Sequence, residues 1–361
     1  MKKLLWLLIS VSFISSCYAQ ELPLHLLKLP KGYSIEIYAH VPDARQMVLG
    51  DKNILFVSSL SAGKIYAVFP QAISGNRSVI TIASNLDKPN GIAFNKGSLY
   101  VAETSRILRF GNILENLDII LPPAVLAIKL PNEKTHNWHF IRLGPDGKLY
   151  LGIGAPCNSC VSADPQIASI IRLNLDGTSL EIFASGIRNT VGFDWDPKTK
   201  NLWFTENGRD WLGDDSPPDA LNVATKPGLN FGFPYCNSGV PDPDLSKSHS
   251  CKEFSGPTLK LPAHVAPLGM SFYQGKMFPE YQNQIFIAEH GSWNRSKKIG
   301  YQVIAVKIEN NASHEPTVFV SGWLQGESAW GRPVDTLTMP DGSLLISDDY
   351  ANVIYRVKKL E

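Results

Sequence analysis

Six short apolar segments recur along this chain, and a repeat of that kind leaves few architectures open. They are Ile54-Leu-Phe-Val-Ser-Ser, Leu99-Tyr-Val-Ala-Glu, Leu149-Tyr-Leu-Gly-Ile, Leu202-Trp-Phe-Thr-Glu, Ile285-Phe-Ile-Ala-Glu and Leu344-Leu-Ile-Ser-Asp. Each is rich in β-formers, and most follow a tight turn such as Asn95-Lys-Gly, Pro145-Asp-Gly or Pro340-Asp-Gly. A short strand precedes most of them, as in Asn90-Gly-Ile-Ala-Phe, and another often follows, as in Ser169-Ile-Ile-Arg-Leu. The spacing, roughly 45 to 60 residues with one longer interval, is that of four-stranded propeller blades. No amphipathic helical patterns alternate with the strands, which argues against an α/β fold. The expected fold is therefore all-β, a six-bladed β-propeller with four-stranded blades over residues 29–361. A β-sandwich or a string of small β domains is the competing reading, but no Pro/Ser-rich linker divides the chain.

Closure of six blades leaves a central channel, and loops at one end of it bring distant residues together. The acidic strand ends Glu103, Glu206, Glu289 and Asp348 are expected near that mouth. The long interval, Asp210 to Pro267, is dense in Pro, Gly and Asp and is expected to wall the site.

Charge excludes one class of partner. With 34 basic and 33 acidic residues the formal net charge is +1, without the basic excess of a nucleic-acid binder. The first 19 residues read as an export signal: a basic start, a short apolar stretch, then small residues. Cys17-Tyr-Ala19 fits ordinary cleavage before Gln20, and Ile14-Ser-Ser-Cys17 fits a lipobox that would leave a lipid anchor at Cys17. Both readings put the protein in the periplasm or outside the cell, with that anchor the one expected membrane contact. Beyond Cys17 four cysteines remain, an even number that suggests disulfides in an oxidising compartment. Pairing Cys157 with Cys160 and Cys236 with Cys251 is the simplest of three connectivities. Three Asn-X-Ser matches, at Asn76, Asn294 and Asn311, are uninformative behind a bacterial-type leader.

The chemistry-bearing residues sit beside the repeated strands. They are His136, ahead of Gly144-Pro-Asp-Gly-Lys-Leu-Tyr; Gly186-Ile-Arg-Asn189; Thr205-Glu-Asn-Gly-Arg-Asp210; Asp219-Ala-Leu-Asn222; Asn230-Phe-Gly-Phe-Pro; Glu289-His-Gly-Ser-Trp-Asn-Arg295; and Gly331-Arg-Pro-Val-Asp335. As an ordered series they resemble the soluble glucose/sorbosone dehydrogenases, propeller enzymes that use pyrroloquinoline quinone (PQQ) and calcium, and look closer to the sorbosone-dehydrogenase-like branch. The resemblance runs from about Leu29 to the end.

It implies a dehydrogenase that oxidises a small-molecule sugar, sugar-derived aldehyde or alcohol and passes electrons to an external acceptor. His136 is then the general base, with His139 the fallback, because removing a hydroxyl proton suits a neutral imidazole. The quinone takes the hydride, which no side chain can. Arg188 stabilises negative charge on the quinone, with Asn189 beside it. Arg332 offers a planar fork to the cofactor's carboxylates. Calcium is held by the backbone carbonyls of Gly208 and Arg209, with Asp214, Asp215 and Asp219 supplying charge.

Three departures go with the resemblance. The family's aspartate partner of the histidine falls at Ala155, its cofactor lysine near His290, and a second cofactor arginine near Val334. The orientation of His136 must therefore come from elsewhere, and His290 and Arg295 are the candidates to replace lost cofactor contacts. Two other functions use such a fold: a calcium-dependent lactonase that needs no quinone, and a non-catalytic carbohydrate- or protein-binding propeller.

Overall fold

The computed structural model describes residues 21–73, 76–117 and 121–360. The leader and Cys17 lie outside them. Six sheets built on four antiparallel strands are present, the third of them extended by a fifth, parallel edge strand, and the helical segments among the described residues are three-residue 3-10 turns. Each of the six repeated segments is the second strand of its sheet: Leu55–Ser58, Ser98–Ala102, Leu149–Ile153, Leu202–Glu206, Ile285–Glu289 and Leu344–Asp348. These strands are buried throughout their length, which is why they read as apolar runs and not as alternating patterns.

The core is not central but divided among the blade interfaces. Leu345, Ile354, Leu55 and Val57 pack between the last and first blades, and Phe286, Phe319, Ile346 and Tyr355 between the fifth and last. Phe140, Tyr150, Phe193 and Phe204 fill the seam between the third and fourth. A small apolar cluster joins residues of the channel-side strands and loops: Val191, Leu268 and Val334, with Trp138 against them.

The ring is closed by a strand from the start of the chain. Tyr33–His40 pairs antiparallel with Val353–Lys359, from Tyr33 opposite Lys359 to His40 opposite Val353, and so becomes the outermost strand of the last blade. Joining the two ends ties closure of the propeller to both termini of the domain.

Both disulfides are local, Cys157 with Cys160 and Cys236 with Cys251. The second closes part of the long interval, which leaves the fourth blade after Asp219–Ala224 and returns at Leu259–Leu261. On the way Leu229–Asn230 adds a parallel strand to the edge of the third blade. Asp210, Asp219, His264 and Ala266, from the two ends of the long interval, line the central cavity as expected, whereas the disulfide segment between Cys236 and Cys251 does not. Its Asp242 accepts from Ser159 Oγ at 2.8 Å. Closing a loop of this 15-residue separation stabilises by about 3 kcal/mol in the chain-entropy picture. Replacing Cys236 and Cys251 together by Ser is expected to speed proteolysis between residues 237 and 250 well before the blades unfold. Equal cleavage of variant and parent in that segment would count against this.

Candidate active site

Loops at one mouth of the channel enclose a cavity of about 390 Å3. His136, Arg188, Asn189, Gly208, Asp219, His290 and Arg332 all line it, although they span nearly two hundred residues of sequence. Val191, Leu268 and Trp138 supply apolar lining, and Val334 packs behind them, so the position of the expected second arginine belongs to an apolar plug.

His136 is held by backbone. Its Nδ1 lies 2.7 Å from the carbonyl oxygen of Ala155. A carbonyl only accepts, so Nδ1 carries the proton and Nε2 keeps its lone pair. The missing aspartate is thus replaced by the main chain of the residue that stands in its place. His136 has φ +50°, in the left-handed region. Next to Ala155, Gly154 lets the ring approach: a Cβ there would fall 2.5 Å from His136 Cβ. Burial, and then the charge of Arg188, push the imidazole down to about 4, against a weaker opposing pull from the Ala155 carbonyl. The ring is neutral at ordinary pH. His139 does not line the cavity; it is buried between blades, with Nδ1 3.0 Å from Gly152 O and Nε2 3.1 Å from Thr104 O.

Arg188 is buried and fully committed. Nε donates to Asn158 O at 2.9 Å, Nη1 to Gly208 O at 2.7 Å and Asn207 O at 3.3 Å, and Nη2 to Asn158 Oδ1 at 3.0 Å and Asp210 Oδ2 at 2.9 Å. All five N–H groups of the guanidinium are used. It acts in this arrangement as a fixed positive charge and not as a free donor.

The acidic strand ends are braces. Glu206 accepts the backbone N–H of Arg188 at 2.9 Å and Asn222 Nδ2 at 2.8 Å, and Asp348 accepts the backbone N–H of Arg332. Neither lines the cavity, and nor do Glu103 and Glu289. Burial pushes Glu206 and Glu289 up to about 7 and Asp348 up to about 6.

Across the cavity Arg332 is fixed by Nε to His290 O and Nη2 to Gly291 O, each at 3.1 Å, with its guanidinium over the Tyr301 ring at 5.6 Å. It has no carboxylate partner among the described residues. Beside it His290 Nε2 lies 2.9 Å from Asp349 Oδ1, and Asp349 Oδ2 accepts Arg45 Nη1 at 2.7 Å. Burial works to raise Asp349, but His290 and Arg45 outweigh it and hold the carboxyl well below its usual range. Arg45 was not among the sequence candidates. Like Arg332 it stands just ahead of the first strand of its blade, here Met47–Leu49, so a repeat aligned on first strands would have found it.

Four of the cofactor and calcium candidates, Arg209, Asp214, Asp215 and Arg295, lie away from the cavity. Arg295 donates to Asp214 O, to Ala263 O at 3.2 Å and to Asp215 Oδ1 at 3.1 Å, as a staple between outer loops. Asp215 is 91 % exposed in that pair. Arg209 turns its side chain to Asp242. The two arrangements reflect the same fact: Arg295 and Arg209 find carboxylates in neighbouring loops, not in the mouth.

A quinone with several carboxylates fits this donor set. Arg332 offers an unneutralised guanidinium, Arg45 has N–H groups without a partner among the described residues, and Asn189 lines the same cavity. A calcium ion finds fewer partners. The described residues hold no group of three or more acidic, histidine or cysteine side chains able to hold a metal. Gly208 O already accepts from Arg188, and Asp219 takes Gly208 N at 2.7 Å and Ala266 N at 2.9 Å. Calcium needs roughly six to eight oxygens, so this protein alone does not cage it. Those two residues fit an ion only if cofactor and water supply the rest.

The six-bladed propeller thus gathers an oriented neutral histidine and fixed arginines at one mouth of its channel. The model of the glucose/sorbosone dehydrogenase family matches residues 123–296. An uncharacterized protein of Borreliella burgdorferi is 36% identical over 354 residues, 92% of this chain and 90% of that one. A pyrroloquinoline quinone-dependent pyranose dehydrogenase of Coprinopsis cinerea is 32% identical over 167 residues, covering 40% of this chain and 21% of the longer relative. The calcium structure of a Trichoderma reesei carbohydrate-active enzyme of family AA12 superposes with a TM-score of 0.78 at 19% identity, covering 92% of this chain and 97% of that one, a likeness of fold. This chain belongs to the glucose/sorbosone dehydrogenase family.

Proposed function

We propose that this chain is an exported quinoprotein dehydrogenase of the sorbosone-dehydrogenase-like branch, oxidising a sugar, sugar-derived aldehyde or alcohol and passing electrons to an external acceptor. Family membership and the matched pyranose dehydrogenase support the class. The observation that carries it is His136: a neutral imidazole, its tautomer fixed by Ala155 O, on the wall of a cavity that also holds the unneutralised Arg332. Bound quinone would supply the two-electron acceptor for the substrate's hydride. Nε2 of His136 accepts the hydroxyl proton. A base this weak takes it as the hydride leaves, because forming the alkoxide beforehand is uphill. Arg188 sets a positive potential over the reacting atoms, and Trp138, Val191 and Leu268 exclude water. Export is supported by the two disulfides, which four of the five cysteines form.

Arg332 and Arg45 would hold cofactor carboxylates, with His290 and Asn189 beside them. A hydrogen bond to a charged group is worth about 1.5–3 kcal/mol, so Arg332→Ala is expected to raise the Kd for the quinone roughly 10- to 100-fold. Titrating the apoprotein and following the quinone spectrum measures this; an unchanged Kd would remove Arg332 from the cofactor site. Calcium, which Gly208 and Asp219 would share with the cofactor, is expected to bind measurably only when the quinone is present. Calorimetric titration with calcium alone and with calcium plus quinone tests that.

A further inference from the structure

Beside the cavity the mouth carries two indoles that packing does not explain. Trp211 and Trp293 are 68% and 61% exposed. Their rings meet edge to face, with centroids 5.2 Å apart and planes at 80°. Adjacent exposed tryptophans forfeit the burial that usually holds such side chains, and apolar surface left open in this way marks a contact site. Trp211 also has φ +70°, where a bulky residue is strained. The backbone therefore holds an indole in water at a conformational cost.

Both rings are anchored to the reacting end of the cavity. Trp211 follows Asp210, whose Oδ2 accepts Arg188 Nη2 at 2.9 Å. Its Oδ1 accepts Nδ2 of Asn294, the neighbour of Trp293, at 2.7 Å. Trp293 lines the central cavity and, with Trp211, an adjoining depression of about 430 Å3 edged by Asn294, Asp214 and Ser296. Arg295 staples the two loops together through Asp214 O and Asp215. The platform is thus continuous with the cavity and rigidly tied to it.

We propose that Trp211 and Trp293 form a sugar-stacking subsite that holds the ring next to the one being oxidised, so that the preferred substrate is the end of an oligosaccharide. A pyranose presents a face of C–H groups that matches an indole, and a rim of hydroxyls that matches the amide and carboxylate groups of Asn294 and Asp214. A protein or membrane partner would need a wider apolar area than two rings provide. The oxidised position rests on the dehydrogenase reading above; the binding does not.

The test compares glucose with maltotetraose, cellotetraose and xylotetraose. With the quinone-loaded parent, at least one tetraose is expected to show a KM roughly tenfold below that of glucose, the scale of one aromatic contact. Trp211→Ala, which alters no cavity-lining side chain, is expected to abolish that difference while glucose KM and kcat stay unchanged. Trp211→Phe should restore most of it. Calorimetric titration of the apoprotein with the same sugars gives a readout without turnover. Equal KM values for glucose and every tetraose, or a tetraose preference untouched by Trp211→Ala, would overturn the subsite even with the dehydrogenase intact. Tetraose binding to apoprotein that Trp211→Ala removes, in a protein without quinone activity, would support the subsite and overturn the dehydrogenase.

Discussion

His136→Ala is expected to lower kcat/KM of the quinone-loaded protein by roughly 10²–10⁴-fold, the usual loss for a positioned general base. Quinone affinity should stay near that of the parent, because Arg332 and Arg45, the proposed partners of its carboxylates, belong to other blades. The pH profile separates this from a general loss of structure. With the imidazole pushed down to about 4, the ring loses its lone pair only below that value. The acid limb of kcat/KM should therefore fall near pH 4 and not near the ordinary histidine value of about 6.5. Stability follows the same group with a definite sign. Its folded value lies below its unfolded one, so the unfolded chain binds the extra proton first. The contribution is complete above about 6.5 and is lost as pH falls toward about 4. A variant that keeps parental activity, or an acid limb that His136→Ala leaves unmoved, would remove His136 from the reaction.

Arg188→Ala is expected to cost both activity and folding. Removing the guanidinium strands Asp210, Asn158 and the carbonyls of Asn207 and Gly208, which it satisfies in one buried network. Breaking a buried ion pair from one side typically costs about 3–5 kcal/mol. Loss of a preorganised charge at the reacting centre lowers kcat by roughly 10²–10³-fold. Arg188→Lys keeps the charge but not the fork, so it should recover part of the activity and little of the stability. Denaturant unfolding beside single-turnover quinone reduction separates the two effects. A fully active, fully stable Arg188→Ala would contradict the network.

How much of this was legible in the residues depends on where the physics leaves a trace. Buried second strands such as Leu149–Ile153 write an apolar run after a turn, so six blades could be counted. The closing strand Tyr33–His40 could not be placed, because its partner lies at the far end of the chain. The support of His136 by Ala155 O was invisible for a different reason: a backbone carbonyl has no residue signature. Where an aspartate was missing, the chain offered what every residue has. Arg295 and Arg45 show the converse. Sequence neighbourhood put Arg295 with the site, yet its donors meet Asp214 and Asp215 outside; Arg45, with no motif around it, faces the cavity through Asp349. The acidic strand ends suggested a charged mouth and proved to be buried braces for the very loops that carry Arg188 and Arg332.

The cavity is proposed to bind a quinone and to use it to oxidise a sugar. Purified apoprotein titrated with PQQ and calcium, with the quinone absorption followed before and after addition of an aldose, tests it most directly. Saturable binding at one quinone per chain, followed by loss of the oxidised quinone spectrum on adding sugar, is the predicted result. No spectral change at saturating quinone, or hydrolysis of a lactone by the same protein without quinone, would contradict it and make the fold's hydrolytic chemistry the better reading.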